Sequence, residues 1–302
     1  MRYRVVHQTV YRYASPVLLS HQLLHLTPRV LPWQRLHAHD IAVAPEPAET
    51  TERDDDFGNA VRQLVLAAPH QSLDITATSD LTVASRSGAR AAQTNAWEAL
   101  RDRLRSLSYA PPLEPAQFLY ESPHIECFPE LAAYASRSFT PKRPVLEGAV
   151  DLAHRIHRDF EFDPKATTVS TPLREVLKLS RGVCQDFAHL MIGCLRAIGL
   201  SARYVSGYLL TVPPPGRPRM VGADASHAWV AVWCPPAGWV EIDPTNDCLV
   251  DDEHITLGWG RDFSDVTPTR GVILGGGEQE LEVRVTVAPL EQRAPIKSQA
   301  HG

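Results

Sequence analysis

The chain has 302 residues, of which 44% are hydrophobic, and a formal net charge of −5 at pH 7. This length suits one large domain or two ordinary ones, and the apolar content supports packed cores, which excludes an intrinsically disordered protein. The mild acidity carries no electrostatic signature of nucleic-acid binding, and no basic cluster adjoins a long apolar run. We therefore expect neither nucleic acid nor membrane as a partner.

The N-terminal residues and the cysteine content predict a cytoplasmic protein. Residues 1–8 lack the apolar core of a signal peptide, and no run approaches the roughly 18 apolar residues that a membrane span needs. The five cysteines are odd in number and form no CxxC pair, so we expect neither a disulfide framework nor a zinc site. In a reducing compartment each cysteine can stay a free thiol.

The first part of the chain alternates between apolar and polar residues with a period of two. Such alternation, in segments rich in aromatic and β-branched residues, predicts strands. Residues 56–59, Asp-Phe-Gly-Asn, supply a turn between two of them. The predicted strands are 2–13, 37–43, 60–66 and 73–83. Together they favour a small antiparallel β unit, followed by a linker at 85–95.

Helical spacing replaces the alternation after the linker. Apolar residues at intervals of three and four predict helices at 96–107 and at about 145–160, with a shorter one at 172–179. Between the first two, Pro111-Pro112 and further prolines at 123, 129, 141 and 144 interrupt the chain. The segment therefore reads as a proline-rich helical connection.

Cys184 lies at the start of the next predicted helix, 184–198, which Gly199 ends. Unpaired backbone N–H groups and the positive end of the helix dipole favour a thiolate there, and the same N–H groups can stabilise an oxyanion. Gly182, two residues earlier, would let a substrate backbone approach closely. Cys194 lies among apolar residues of the same helix and is predicted to belong to the core.

A strand at 202–211 leads into residues 212–218, where four prolines predict an exposed loop. Two interpretations of this loop stay open. It either borders a substrate cleft or is an ordinary surface loop.

Two short strands, 226–233 and 240–243, carry His227 and Asp243 and are predicted to pair as a hairpin. The two side chains share a face only if the connecting loop has an odd number of residues. A loop at 233–237 would place them directly opposite each other, and one at 234–238 would place them on a diagonal that still allows a hydrogen bond. An even-numbered loop without a bulge would separate them.

The order cysteine, histidine, aspartate is typical of a nucleophile, a base and a residue that orients the base. Taken singly, each residue has a more ordinary interpretation: a buried thiol, a structural histidine and a turn aspartate. Their joint arrangement favours a catalytic triad of Cys184, His227 and Asp243. His227 would take the thiol proton and later protonate the leaving amine, while Asp243 would hold the imidazole tautomer.

Several segments resemble the bacterial transglutaminase-like superfamily. In the second half these are Gly-Val-Cys-Gln-Asp-Phe-Ala-His-Leu (182–190), residues 195–209, Ser-His-Ala-Trp (226–229), Gly-Trp-Val-Glu-Ile-Asp-Pro-Thr-Asn (238–246), His254-Ile255 and residues 260–266. In the first half they are Tyr11-Arg12-Tyr13, Pro16-Val17, residues 26–29 and residues 56–59. The resemblance therefore covers nearly the whole chain.

The resemblance implies an α+β fold with an N-terminal antiparallel β domain followed by a papain-like, transglutaminase-like catalytic core. The expected divisions are 1–90 for the β domain, 91–140 for the helical connection, 141–290 for the catalytic domain and 291–302 for a disordered tail. The last strand of the catalytic domain is predicted at 280–287. The resemblance further implies that Cys184, His227 and Asp243 form a thioester acyl-enzyme from a peptide or protein amide, with no cofactor.

Three neighbours of the triad are candidates for substrate binding: Gln185, Asp186 and Trp229. Asp186 could instead cap the helix, and Trp229 could pack in the core. No metal site is predicted, because the two closely spaced histidine pairs, His21/His25 and His154/His157, have no obvious third ligand. Three functions stay open: hydrolysis of an amide, acyl transfer to an amine, and a non-catalytic binding module on the same fold.

Overall fold

The computed structural model of the chain describes residues 1–86, 93–106, 113–211 and 226–290. The predicted loop at 212–218, the tail at 291–302 and part of the linker at 85–95 lie outside the described residues. Within them the chain forms the α+β fold expected from the sequence, with an antiparallel N-terminal sheet and a second sheet covered by helices.

The N-terminal sheet has the strand order β2-β5-β1-β4-β3. Its strands are β1 (Arg2–Leu24), β2 (Gln34–Ala44), β3 (Glu49–Asp54), β4 (Ala60–Leu66) and β5 (His70–Val83). All four predicted strands fall inside these bounds, and the inward-facing apolar residues of these strands are buried or half-buried. β1 continues past its predicted end because its pairing with β5 shifts register between Arg12 and Val17, an irregularity that accommodates Pro16.

Two strands from the end of the described chain complete this sheet. β13 (Thr269–Gly275) pairs with the second half of β1, and β14 (Gln279–Pro289) pairs with its first half. The strand predicted at 280–287 is confirmed, but it does not lie in the catalytic part, to which the division 141–290 assigned it. Residues 269–289 belong to the N-terminal sheet because β1 offers them a free edge with matching alternation.

The helical layer packs into a single apolar core. Its helices are α1 (Trp97–Arg105), α2 (Leu113–Ala116), α3 (Pro129–Ser136), α4 (Val145–Asp159), α5 (Leu173–Leu179) and α6 (Cys184–Ala197). The predicted helices at 96–107, 145–160, 172–179 and 184–198 correspond to α1, α4, α5 and α6. Leu100 of α1 and Leu131 of α3 are buried in the same core as α4 and α6. Residues of the predicted connection at 91–140 are therefore part of the same apolar core as α4 and α6.

The second sheet has five strands in the order β11-β10-β9-β8-β12. They are β8 (Ala202–Leu209), β9 (Ser226–Trp233), β10 (Trp239–Asp243), β11 (Cys248–Leu249) and β12 (His254–Gly260). A short parallel pair, β6 (Glu161–Phe162) and β7 (Arg181–Gly182), holds the segment just before α6. Ala228, Val230 and Val232 of β9 face the core that α6 also enters.

The N-terminal sheet covers the outer edge of β12. The side-chain amide of Gln34 bonds both the carbonyl and the N–H of Thr256, each at 2.8 Å. Asn59, from the predicted turn at 56–59, does the same to Trp259, at 2.8 and 3.0 Å. These amides satisfy backbone groups that an edge strand otherwise leaves unpaired. β12 is thereby fixed between its neighbour β8 and the N-terminal sheet.

Candidate active site

The start of α6 places Cys184 at the first helical position, as the sequence predicted. Asp186 secures this helix start, since its carboxylate accepts from the Val183 N–H at 2.8 Å and from the Thr167 hydroxyl at 2.6 Å. A Cβ at Gly182 would lie 2.6 Å from that carboxylate. Glycine is thus required here for the approach of Asp186, and its role in admitting a substrate backbone stays a prediction.

The hairpin has one of the two registers that the sequence analysis found compatible with a triad. Trp233 pairs with Trp239, so residues 234–238 form a five-residue loop. His227 and Asp243 consequently lie on the diagonal of one sheet face. Their side chains are joined by a 2.7 Å hydrogen bond from His227 Nε2 to Asp243 Oδ2. The register prediction is confirmed.

Asp243 is fully buried and accepts hydrogen bonds from several donors. Its Oδ1 accepts from the backbone N–H groups of Thr245 (2.8 Å) and Asn246 (3.1 Å). Its Oδ2 accepts from His227, from Asn246 Nδ2 (2.7 Å) and from His254 Nε2 (3.2 Å). Burial alone would raise the pKa of this carboxyl, but the bonds from His227, His254 and Asn246 outweigh it and hold the pKa far below its ordinary value. Asp243 is therefore a carboxylate in the folded protein.

His227 connects this carboxylate to the thiol. Its Nε2 lies 2.7 Å from Asp243 Oδ2, and the Cys184 side chain lies close enough to influence the protonation of the imidazole. Burial lowers the pKa of His227, but the hydrogen bonds to Asp243 and Cys184 and their charges outweigh burial and raise the pKa to about 10. The arrangement thus favours a protonated His227 imidazole at neutral pH.

The other four cysteines sit in surroundings that keep their thiols protonated. Burial raises the pKa of Cys127, of Cys194 and of Cys234, and it raises that of Cys248 to about 11. Cys194 is fully buried in the core, as predicted. A neutral, buried thiol reacts slowly with electrophiles.

The three expected substrate contacts have different surroundings. Trp229 is completely buried, and its Nε1 donates to Glu241 at 2.6 Å. Asp186 is buried in its capping role. Neither side chain presents a surface to a substrate, so the alternatives of core packing and capping fit them better. Gln185 is only partly buried and donates to the Val169 carbonyl at 3.4 Å, which leaves it as the remaining candidate.

His254 and Asn246 are members of the site to which sequence reasoning gave no role. Asn246 follows Asp243 by three residues in a tight turn, a spacing typical of side chains that bond back to an aspartate. His254 comes from β12 at the far edge of the sheet, so no local spacing links it to Asp243. In the sequence, His254 stood out only as part of the His254-Ile255 segment that resembles the family.

His227, Asp243 and His254 each offer one ligand atom, and these atoms lie within 4.8 Å of one another. Such a set could in principle hold a divalent cation. Both histidine nitrogens, however, already point at the same carboxylate oxygen over hydrogen-bond distances. Hydrogen bonding accounts for the cluster, and we assign no metal to it.

Comparison with known proteins agrees with this architecture. Residues 3–82 match the bacterial transglutaminase-like N-terminal region, and residues 132–244 match the transglutaminase-like superfamily. Proteins of Mycobacterium tuberculosis and Mycobacterium bovis, both named only as uncharacterized, are 43% identical over 298 residues, covering 96% of this chain and 93% of theirs. The chain belongs to the transglutaminase-like superfamily.

Two further proteins are similar to this chain, one in part of its sequence and one in its fold. A protein-glutamine gamma-glutamyltransferase of Pseudomonas aeruginosa is 42% identical over 94 residues, which are 28% of this chain and 14% of that protein. A crystal structure of a protein from Cytophaga hutchinsonii, provisionally named a cysteine protease, has a TM-score of 0.72 at 19% identity. It covers 97% of this chain and 91% of its own, and shows that the two share a fold.

The transglutaminase-like superfamily is broadly associated with cysteine-based acyl transfer. A cysteine at a helix start and a hydrogen-bonded histidine–aspartate pair are consistent with that association. In the described ranges, none of the helices combines the length and hydrophobicity of a membrane span.

Proposed function

We propose that this transglutaminase-like protein hydrolyses an amide bond of a peptide or protein through a thioester on Cys184. The observation that carries the proposal is the 2.7 Å hydrogen bond between His227 Nε2 and the buried Asp243 Oδ2, at an imidazole whose protonation Cys184 also influences. A nucleophile, a base and an orienting carboxylate in hydrogen-bonded series are the components that amide cleavage requires.

In the first step the Cys184 thiolate attacks the carbonyl carbon of the amide, and a C–S bond forms. The negative charge that develops on the carbonyl oxygen lies near the first turn of α6, whose N–H groups have no partner within the helix. The C–N bond then breaks, and the imidazolium of His227 gives its proton to the departing amine. The product is a thioester on Cys184.

In the second step water attacks the thioester carbonyl while His227, now neutral, accepts its proton. The C–S bond breaks, the acid product leaves, and the thiolate and imidazolium are restored. Asp243 stays ionised throughout and keeps the imidazole oriented, because its own pKa lies far below the working range.

Acyl transfer to an amine is the second candidate. It is favoured by the similarity of 94 residues to the Pseudomonas aeruginosa protein-glutamine gamma-glutamyltransferase. The first step is the same, and an amine nitrogen replaces the water oxygen in the second step. A glutamine side-chain amide would then be the acyl donor, with ammonia as the leaving group.

Selective alkylation tests the nucleophile. The protein is treated with iodoacetamide at neutral pH, and the labelled cysteine is mapped by mass spectrometry. We expect label on Cys184 before the other four thiols, and loss of that label in Cys184→Ser but not in the control Cys248→Ser. Preferential label on Cys248 or Cys194, with Cys184 untouched, would contradict the proposal and favour a non-catalytic binding module.

The acyl acceptor is identified by a second measurement. Glutamine-containing peptides and other peptide amides are incubated with and without a primary amine, and ammonia release is compared with amine incorporation. Hydrolysis predicts an acid product that the added amine does not diminish. Incorporation of the amine into product in proportion to ammonia released would replace hydrolysis by transamidation.

The partners and the cellular location remain part of the proposal. We propose a peptide or protein amide as the substrate, with neither nucleic acid nor membrane as a partner, and a cytoplasmic location. Fractionation of cells that produce the protein, with an enzymatic marker for each compartment, tests the location. Recovery outside the cytoplasmic fraction would contradict it.

A further inference from the structure

We propose that His254 is a positioning residue of the active site, which donates a hydrogen bond from Nε2 to Asp243 and thereby fixes the carboxylate that orients His227. The inference rests on the proposed function, since it concerns the same triad. It assigns to the site a second histidine that does not itself touch the thiol.

The geometry places His254 against Asp243 and nowhere else in the polar network. Its Nε2 lies 3.2 Å from Asp243 Oδ2, and its ring is 6.2 Å from that of His227, centroid to centroid. His254 is 4% exposed, and Nδ1 is buried without a hydrogen-bond partner among the described residues. A buried imidazole with one engaged nitrogen adopts the tautomer that serves this nitrogen. His254 therefore carries its proton on Nε2.

The Trp229 ring packs against the imidazole of His254. The two rings meet edge to face, with centroids 5.2 Å apart and planes at 79°. A Cβ at Gly207 would lie 2.5 Å from the Trp229 ring and 2.1 Å from the Ile255 carbonyl, so glycine is needed on β8 for both to approach. Glu241 holds the indole through Nε1 at 2.6 Å, and Arg86 pairs with Glu241 at 2.9 Å. The buried tryptophan is thus a platform for His254.

Other titratable groups near Asp243 are accounted for. His227 comes from β9 and His254 from β12, while Cys248 on β11 pairs in register with Asp243. Burial and the charge of Asp243 raise the pKa of the Cys248 thiol to about 11, so it remains neutral below that pH. A change in the acid range therefore reports the histidines and the carboxylate rather than this thiol.

The tautomer of His254 is the first test, because it does not depend on catalysis. Nitrogen chemical shifts are measured on the whole protein labelled with ¹⁵N-histidine, and the His254 signals are assigned by their loss in His254→Gln. We expect a protonated Nε2 and a bare Nδ1. A proton on Nδ1 would overturn the inference whatever Cys184 reacts with.

The second test compares two substitutions by the rate at which iodoacetamide labels Cys184 across pH. His254→Phe keeps a ring on Trp229 but removes the donor, so the neutral-pH rate should fall about tenfold. The acid edge, meaning the pH below which the labelling rate falls, should move to higher pH, because Asp243 loses a hydrogen bond that keeps it ionised. His254→Gln, whose amide nitrogen can reach the position of Nε2, should retain the wild-type edge. His21→Gln on the exposed face of β1 is the control.

Each outcome decides between a positioning and a merely structural role. A wild-type rate and edge in His254→Phe would overturn the inference. Equal losses in both variants with an unchanged acid edge would also overturn it, since they would indicate a general effect on folding, which thermal unfolding of the same variants measures. Failure of wild-type Cys184 to react would instead contradict the proposed function, and the tautomer would still decide the role of His254.

Discussion

The two faces of the β9–β10 hairpin bury very different side chains. The face toward α6 carries Ala228, Val230 and Val232, all buried in an apolar core. The opposite face carries His227, Trp229, Glu241 and Asp243, which are also largely buried but are joined by hydrogen bonds. Burying polar groups is costly unless each finds a partner. The comparison indicates that one face supplies stability while the other holds a network whose value is orientation.

The largest expected effect comes from removing the central charge of the polar face. Asp243→Asn should lower kcat/KM by about 10⁴-fold, because the imidazole loses the acceptor that fixes its tautomer. It should also move the alkaline limb of the pH profile to lower pH, since the Asp243 carboxylate raises the pKa of His227. The measurement is kcat/KM between pH 5 and 11.

Asp247→Asn serves as the matched control for this substitution. Asp247 lies on the same turn, but its carboxylate is partly exposed and pairs with His154 rather than with His227. An equal loss of activity in the control would show that the turn, and not the charge of Asp243, determines the activity.

The next prediction compares Val230 of the apolar face with its sequence neighbour Trp229 of the polar face. Val230→Ala should lower the free energy of unfolding by about 2–3 kcal/mol, because it removes buried methyl groups and leaves a cavity. The activity of the folded enzyme should stay near wild type. Trp229→Phe should lower the free energy of unfolding by about 1–3 kcal/mol through the lost bond to Glu241. It should also reduce kcat, because His254 loses its platform.

Denaturant unfolding and kcat, measured on the same preparations, separate these effects. If Val230→Ala reduced kcat as much as Trp229→Phe did, the proposed division between the two faces would be wrong.

The pH dependence of stability is a smaller effect with a definite sign. The pKa of His227 is raised in the folded protein, so its contribution is complete below its unfolded value of 6.5 and is lost as pH rises through about 10. The pKa of Asp243 is lowered, so its contribution is present above 3.8 and is lost only in strong acid. The free-energy difference between wild type and His227→Gln should therefore shrink by at least about 1 kcal/mol from pH 6.5 to 10.

Unfolding curves at several pH values measure this difference. A difference that grew across the same range would mean that His227 is neutral in the folded protein, in conflict with an imidazolium–thiolate pair.

The smallest effects concern the two residues that follow the nucleophile. Asp186→Ala should destabilise the protein by about 1 kcal/mol, because the start of α6 loses its cap. Gln185→Ala should change stability by less than about 0.5 kcal/mol, since the side chain is partly exposed. If Gln185 binds substrate, its loss should raise KM with little change in kcat. Steady-state kinetics and thermal unfolding of both variants test this contrast.

Local patterns in the sequence predicted most of the elements, the pairing of His227 with Asp243, and Cys184 at a helix start. The hairpin register followed from the parity of one short loop, and the position of Cys184 followed from helical spacing ended by Gly199. Capping by Asp186 was one of two alternatives, whereas the reason for a glycine at 182 was not predicted, because it depends on the Asp186 side chain folding back over this residue. The pairing of β13 and β14 with β1, and the reach of His254 to Asp243, are long-range contacts that no local period encodes.

The pairing of β14 with β1 has a consequence for the order of folding during synthesis. Tyr3 pairs with Pro289, and Leu290 donates to the Arg2 carbonyl at 2.8 Å, so residues near both ends of the described chain close one sheet. Pairings between such distant residues form late, and proteins fold as they emerge from the ribosome, N-terminal segments first. Cys184 is therefore translated about a hundred residues before β14, which completes the N-terminal sheet. A nascent chain would therefore carry Cys184 before the N-terminal sheet that covers β12 is complete.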